Sequence, residues 1–160
     1  MTAADAQVTD TIVVADLDHP SVGVLLDLHL RSAHENSPAG LSFTLDLDDL
    51  RDLAVTLWAM WRGDRLLGLG ALNQLDHGHA ELKSMRTAPD ALRQGVGTRM
   101  LIHLIDEARR RGYRRLSLET GGNAPFAAAR AMYERAGFSP CGPFGDYEDL
   151  SYSRYYTLAL

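Results

Sequence analysis

Residues 81–98 read Glu81-Leu82-Lys83-Ser84-Met85-Arg86-Thr87-Ala88-Pro89-Asp90-Ala91-Leu92-Arg93-Gln94-Gly95-Val96-Gly97-Thr98, and they join a strand to a helix. The strand signal runs from His79 to Thr87. After Gly97, Met100, Leu101, Leu104, Ile105 and Ala108 share one helical face, with Arg99, His103, Asp106, Glu107 and Arg110 largely opposite. A glycine inside a helix costs about 1 kcal/mol relative to alanine, so Gly95 and Gly97 at this junction need a reason. One reason is packing, with Asp90 as a cap. The other is a bare backbone that approaches a phosphate, bound by N–H groups and the positive end of the helix. Residues 91–105 hold no Asp or Glu, the usual complement of a helix start, and Arg93 and Arg99 stand there instead. A ligand is therefore expected to bring the negative charge. The P-loop pattern fails because no Lys-Ser or Lys-Thr follows the glycines. The dinucleotide pattern fails because Met100 occupies its third glycine position.

Working outward, Val55 to Trp61 and Leu66 to Leu75 form strands around an Arg62-Gly63-Asp64-Arg65 hairpin turn, and Asp76-His77-Gly78 turns into the next strand. Thr11 to Ala15 is a further strand. Pro20 and Ser21 open a helix, with Val24, Leu25, Leu28 and His29 at helical spacing, that fades at Asn36-Ser37-Pro38-Ala39-Gly40. Leu47 to Leu53 reads as a second short helix with Asp46 near its start. Downstream, Arg109, Arg110 and Arg111 suit a helix end that Gly112 stops. Leu116 to Thr120 is a strand, Ala124 to Ala136 a helix closed by Gly137, and Phe138 to Phe144 and Arg154 to Leu160 are final strands. This order predicts an α/β fold: a mixed sheet with helices packed on it.

The length of 160 residues fits a single domain, residues 1–160, and 46% apolar with 23% charged residues is ordinary for a soluble protein. No apolar run approaches the roughly 20 residues that span a membrane, and Met1 to Asp10 lacks the features of a signal peptide. Cys141 is the only cysteine, which excludes an internal disulfide and points to a reducing cytoplasm. Residues 1–80 carry 4 basic and 12 acidic side chains, residues 81–160 carry 12 and 9. That balance is wrong for a nucleic-acid binder. It fits either unequal solvated surfaces or an anionic ligand on the C-terminal half.

With its flanks, the glycine segment resembles the GCN5-related N-acetyltransferase superfamily. The strand Glu81 to Pro89 followed by Arg93 to Thr98 is one matching unit. Ala129-Arg130-Ala131-Met132-Tyr133-Glu134-Arg135-Ala136-Gly137-Phe138, which looks like a helix ending in Tyr-x-x-x-Gly-Phe, is the other. Three positions depart from the family pattern: Leu92 replaces an Arg or Gln, Arg93 replaces a glycine, and Phe126 replaces an Asn seven residues before the tyrosine. The resemblance implies a mixed, mostly antiparallel twisted sheet of about six to seven strands flanked by helices. It implies acetyl-coenzyme A as co-substrate, no metal, a small-molecule amine as acceptor, and a homodimer as one possible assembly. Backbone groups of Met85, Arg86 and Thr87 would pair with the pantetheine arm, and N–H groups of Arg93, Gln94, Gly95, Val96, Gly97 and Thr98 would hold the pyrophosphate. Phe126 would border the cofactor, and the arm would enter between the strands ending at Thr87 and Thr120.

Acyl transfer to an amine needs a base for the ammonium proton and an acid for the departing thiolate. The resemblance makes Tyr133 the acid. Glu81 is the first choice of base, with Glu119 on the neighbouring strand in reserve. A salt bridge to Lys83 is the alternative for Glu81. The substrate pocket implied by the family draws on His34 to Pro38, including Glu35 and Ser37, and on residues 142–147, including Asp146 and Tyr147; Glu35 and Asp146 would receive a cationic amine. His77 and His79 lack a third metal ligand, and Asp46-x-Asp48-Asp49 lacks the glycine of a calcium loop and reads as a helix cap. Two rivals remain: a non-catalytic acyl-CoA sensor, and an acetyltransferase for protein N-termini or lysines.

Overall fold

Two antiparallel hairpins start the sheet, and one parallel contact continues it. The structure is a computed structural model describing residues 8–160, so most of the Met1–Asp10 reading lies outside the described residues. The elements in chain order are β1 (Asp10–Val14), α1 (Pro20–Asn36), β2 (Val55–Arg62), β3 (Arg65–Gln74), β4 (His79–Thr87), α2 (Val96–Arg110), β5 (Arg115–Gly121), α3 (Ala127–Arg135), β6 (Ser139–Cys141) and β7 (Ser153–Ala159). The seven strands lie in the order β1-β2-β3-β4-β5-β7-β6. Only β4 and β5 run parallel. This is the mixed, mostly antiparallel sheet that the sequence predicts.

Three expectations need correction. Leu47–Leu53 forms no helix beyond a single 3-10 turn at Asp49–Arg51. There Asp46 and Asp49 each accept the other's backbone N–H, at 2.8 and 2.9 Å, the reciprocal cap of a helix start, but Asp52 turns extended and its carboxylate accepts the Ala54 N–H at 2.8 Å, which ends the turn. The strand expected over Phe138–Phe144 is confined to Ser139–Cys141. Gly142 and Pro143 follow at once, and proline has no N–H for a ladder. Finally, α3 begins only at Ala127, after a 3-10 turn at Ala124–Phe126.

Helix α2 buries Val96, Met100, Leu101, Leu104, Ile105 and Ala108 against the sheet, the face that the spacing predicts. Gly70 of β3 is the point of closest approach. A Cβ there would lie 2.7 Å from Leu104, 2.8 Å from Met100 and 2.9 Å from Met85. Gly70→Ala should therefore overpack a filled core and destabilise by about 1–3 kcal/mol. The check is a lower urea midpoint at unchanged slope; an unmoved midpoint would refute the tight α2–β3 contact.

The same glycine faces an irregularity. Leu69 pairs with Arg86 and Ala71 pairs with Lys83, so Gly70 stands opposite both Ser84 and Met85. This is a β-bulge, and Ser84 adopts φ 55° to form it. Because α2 covers Gly68 and Gly70, their register partners assign the faces of β4. Leu82, Met85 and Thr87 lie on the α2 side. Glu81, Lys83 and Arg86 lie on the opposite side, toward α1. Pairing of Glu81 with Ser117 then puts Ser117 and Glu119 on the α1 side as well.

Candidate active site

Strands β4 and β5 are hydrogen-bonded only from His79↔Arg115 to Glu81↔Ser117. Beyond Glu81 they part, and the seam opens into a cleft of about 610 Å³. On the α2 side it is lined by Met85, Thr87, Val96, Gly97, Leu118, Phe126, Met132 and Tyr133. On the α1 side it is lined by His29, Ser32, Asn36, Ser37, Lys83, Arg86 and Glu119. The walls thus come from α1 on one face of the sheet and from α2 and α3 on the other.

At the mouth, Arg93 and Gly95 both take left-handed backbone angles, φ 62° and 76°. Gly95 is the residue before the first turn of α2, and that turn has no acidic side chain. A glycine tolerates this geometry freely, whereas Arg93 adopts it at a cost. Arg93, where the resemblance expects a glycine, thus takes a backbone angle that glycine favours. Arg99 does not wait for a ligand, contrary to expectation: Asp10 of β1 binds both Arg62, at 2.7 and 2.9 Å, and Arg99. These two guanidiniums hold the Asp10 carboxyl far below the usual carboxylate range. Arg93, which lines the cleft, has no acidic partner among the described residues. Gln94 is exposed and bonds Arg62, and Thr98 is exposed outside the cleft lining.

An extended thiol-ester arm fits these features on four counts. The β5-facing edge of Met85 to Thr87 is unpaired. The Ser84 hydroxyl is buried in the cleft wall with no partner among the described residues. The N-terminal N–H groups of α2 open toward the mouth, and the volume is in the range of ligand clefts, about 300–1,000 Å³. Phe126 borders the cleft where the family has an amide side chain. Its ring fills the space over Gly121, where a Cβ would come within 2.5 Å of it.

The titratable groups of the cleft are strongly perturbed. Glu119 is pushed up to about 7, first by burial, against the pull of Lys83 and a 3.3 Å hydrogen bond from Ser153. Tyr133 is buried, and desolvation raises its phenol well above the usual value, with the Glu119 carboxylate adding to the effect. Its ring meets Phe138 edge-on at 5.9 Å, and among the described residues nothing hydrogen-bonds its hydroxyl. His29 is pushed down to about 4, by burial first and then by Arg86 and Lys83, so it is neutral and accepts a 3.0 Å bond from Arg86.

Glu81 lies elsewhere. It is buried, accepts hydrogen bonds from Tyr147 and Asn73, and has the Lys83 ammonium at 3.6 Å, so it has the salt bridge its sequence context allows. It lines an adjoining hollow of about 390 Å³ with Phe43, Asp146, Tyr147 and Glu148. Tyr147 accepts from Lys83 at 2.8 Å. Of the expected acceptor residues, Ser37 borders the cleft and bonds Tyr152 at 2.9 Å, and Asp146 and Tyr147 border the hollow. Glu35 is exposed and lines neither. Sequence reading did not bring Lys83 and Arg86 to one wall of the cleft, because a bulge without glycine leaves no sequence signal of which way they point, and it missed His29, which α1 places against Arg86 from 57 positions away.

A profile of the acetyltransferase (GNAT) family matches residues 23–138, which span the seam, the α2 loop and the Tyr133 unit. The chain belongs to this family. It is 45% identical over 150 residues to the uncharacterized N-acetyltransferase YedL of Escherichia coli, covering 94% of each chain. It is 46% identical over 149 residues to the uncharacterized N-acetyltransferase YsnE of Bacillus subtilis, covering 93% of this chain and 99% of that one. A GNAT family acetyltransferase from Elizabethkingia anophelis, solved with acetyl-CoA bound, shares the fold at TM-score 0.69 and 20% identity, over 94% of this chain and 98% of that one. The protein is thus an acetyl-CoA-dependent N-acetyltransferase. Within this GNAT chain no helix among the described residues is long and apolar enough to cross a membrane.

Proposed function

We propose that residues 1–160 act as one domain that moves the acetyl group of acetyl-CoA onto the primary amine of a small molecule by direct attack. One observation supports this above the others: Glu119 and Tyr133 border the same seam from opposite faces of the sheet. A base and an acid on opposite sides of the thioester carbon serve acyl transfer to an amine. An alkyl ammonium holds its proton with a pKa of about 10.4, and a thiolate leaving group regains one at about 8.5. Glu119 takes the proton from the amine as the nitrogen–carbon bond forms. Tyr133 gives its proton to sulfur as the carbon–sulfur bond breaks. Glu119 stands ahead of Glu81 as base in this reading. Its carboxylate faces the cleft with a pKa near neutrality, whereas that of Glu81 is engaged by Tyr147, Asn73 and Lys83.

Backbone groups of Met85 to Thr87 would hold the pantetheine arm as an added strand, and the N–H groups from Arg93 to Thr98 would hold the pyrophosphate. A backbone N–H near Met85 would polarise the thioester carbonyl. Cys141 is exposed on β6, outside the cleft, which supports direct attack over an acyl-cysteine route. The test is free-thiol release from acetyl-CoA across amines, amino acids and peptides. Acetyl-CoA alone at 100 times its Kd should also stabilise the fold by about 2.7 kcal/mol in a thermal shift. A shift without thiol release from any acceptor would mark a sensor; no shift at all would remove the cofactor assignment.

A further inference from the structure

Arg86 is a guanidinium in the wrong place for the cofactor's phosphates. Its register partner Leu69 puts it on the α1 face of the sheet, whereas the α2 start and its N–H groups lie on the other. It is about half-buried in the cleft wall, and burial lowers its pKa. Its Nε donates to His29 Nδ1, a neutral acceptor that returns no charge. Among the described residues no carboxylate lies within ion-pair distance of it, and its two terminal nitrogens make no hydrogen bond. The neighbouring Lys83 differs: Glu81 and Tyr147 already engage its ammonium.

A partly desolvated charge without a counter-charge is costly, so the site favours an anion beside it. The planar fork of an arginine fits a carboxylate with two parallel hydrogen bonds. The end of α1 and the loop after it line the cleft with neutral polar groups, from Ser32, Asn36, Ser37 and Ser42, and among the described residues Glu119 is the one carboxylate that lines it. The acceptor side thus offers one anionic end and one cationic end. Glu35 and Asp146, the acids that the sequence offers for a cationic amine, line neither side of it.

We propose that the acceptor is an amino carboxylic acid, with its amine at Glu119 and its carboxylate on the Arg86 fork. Arg86 is then a specificity-determining residue through its side chain, separate from the role of its backbone. This rests on the acetyl-transfer reading above.

The experiment compares thiol-release rates for a panel of L-amino acids, each with its carboxamide and its decarboxylated amine. The free acids should be preferred in kcat/KM by about 10–100-fold, the worth of a charge-assisted hydrogen bond. Arg86→Gln should bring the ratio of acid to carboxamide close to one, and Arg86→Lys should restore part of it. His29→Glu, which puts an anion of the protein's own on the guanidinium, should abolish the preference with the arginine still present. Equal rates for acids and carboxamides in the wild type, or a ratio that survives Arg86→Gln and His29→Glu, would overturn the proposal while leaving acetyl transfer intact. Thiol release with peptides or plain amines only would do the same. No release with any amine would remove both readings.

Discussion

Tyr133→Phe is expected to lower kcat by about 10²–10⁴-fold, the range for loss of a positioned general acid. The hydroxyl is the only atom removed, and nothing among the described residues bonds to it, so the fold should keep its thermal midpoint. Cofactor binding should also persist, since the proposed grip on acetyl-CoA comes from the backbone of β4 and the α2 loop. The combination is informative. A purely structural tyrosine would change stability and not rate, whereas an acid does the reverse. Turnover within a few-fold of wild type would take Tyr133 out of the mechanism.

The second large effect concerns Glu119→Gln. A base works as the carboxylate, so wild-type kcat/KM should rise with pH and level off above about 7, where Glu119 titrates. The amide variant should lose this limb and about 10²–10⁴-fold in rate. Glu81→Gln is the comparison: if that change removes the limb, the base is Glu81. Stability gives an independent reading of the same group. Its folded pKa stands above the unfolded carboxylate value of about 4.3, so the folded state binds more protons in between. Folding stability should therefore fall as pH rises from there to about 7, and Glu119→Gln should flatten that slope. Buffered thermal melts across this window would check it.

Much of the architecture was legible because periodicity and punctuation agree. The α2 face, the β2–β3 turn and the glycine that closes α3 are set by local chemistry. Where local side-chain bonding competes, the reading failed, as at Asp52, whose carboxylate caps Ala54 in place of a further helical turn. The glycine loop is visible through Gly95, yet Arg93 takes an equally unusual angle with no residue type to announce it. Choosing between Glu81 and Glu119 depends on what surrounds each carboxylate. That is decided largely by Tyr147 and Ser153, which stand 66 and 34 positions from their partners. The charge of Arg99 was assigned to a ligand because its partner, Asp10, stands 89 positions away.

The extra residue that β4 accommodates at Ser84 and Met85 means that the strand keeps two alternation phases, one before and one after it. Were these residues in regular alternation, Lys83 and Arg86, three positions apart, would project to opposite sides; the bulge brings them to one chamber, and Met85 and Thr87 occupy the other. On the proposed reading, positions 83 and 86 can accordingly vary for the acceptor, and positions 85 and 87 for the cofactor, within five consecutive residues. A lineage that changes its acceptor need not renegotiate its cofactor, provided that it keeps these faces. Straightening the strand with every residue kept would turn the positions on one side of the bulge to the opposite faces.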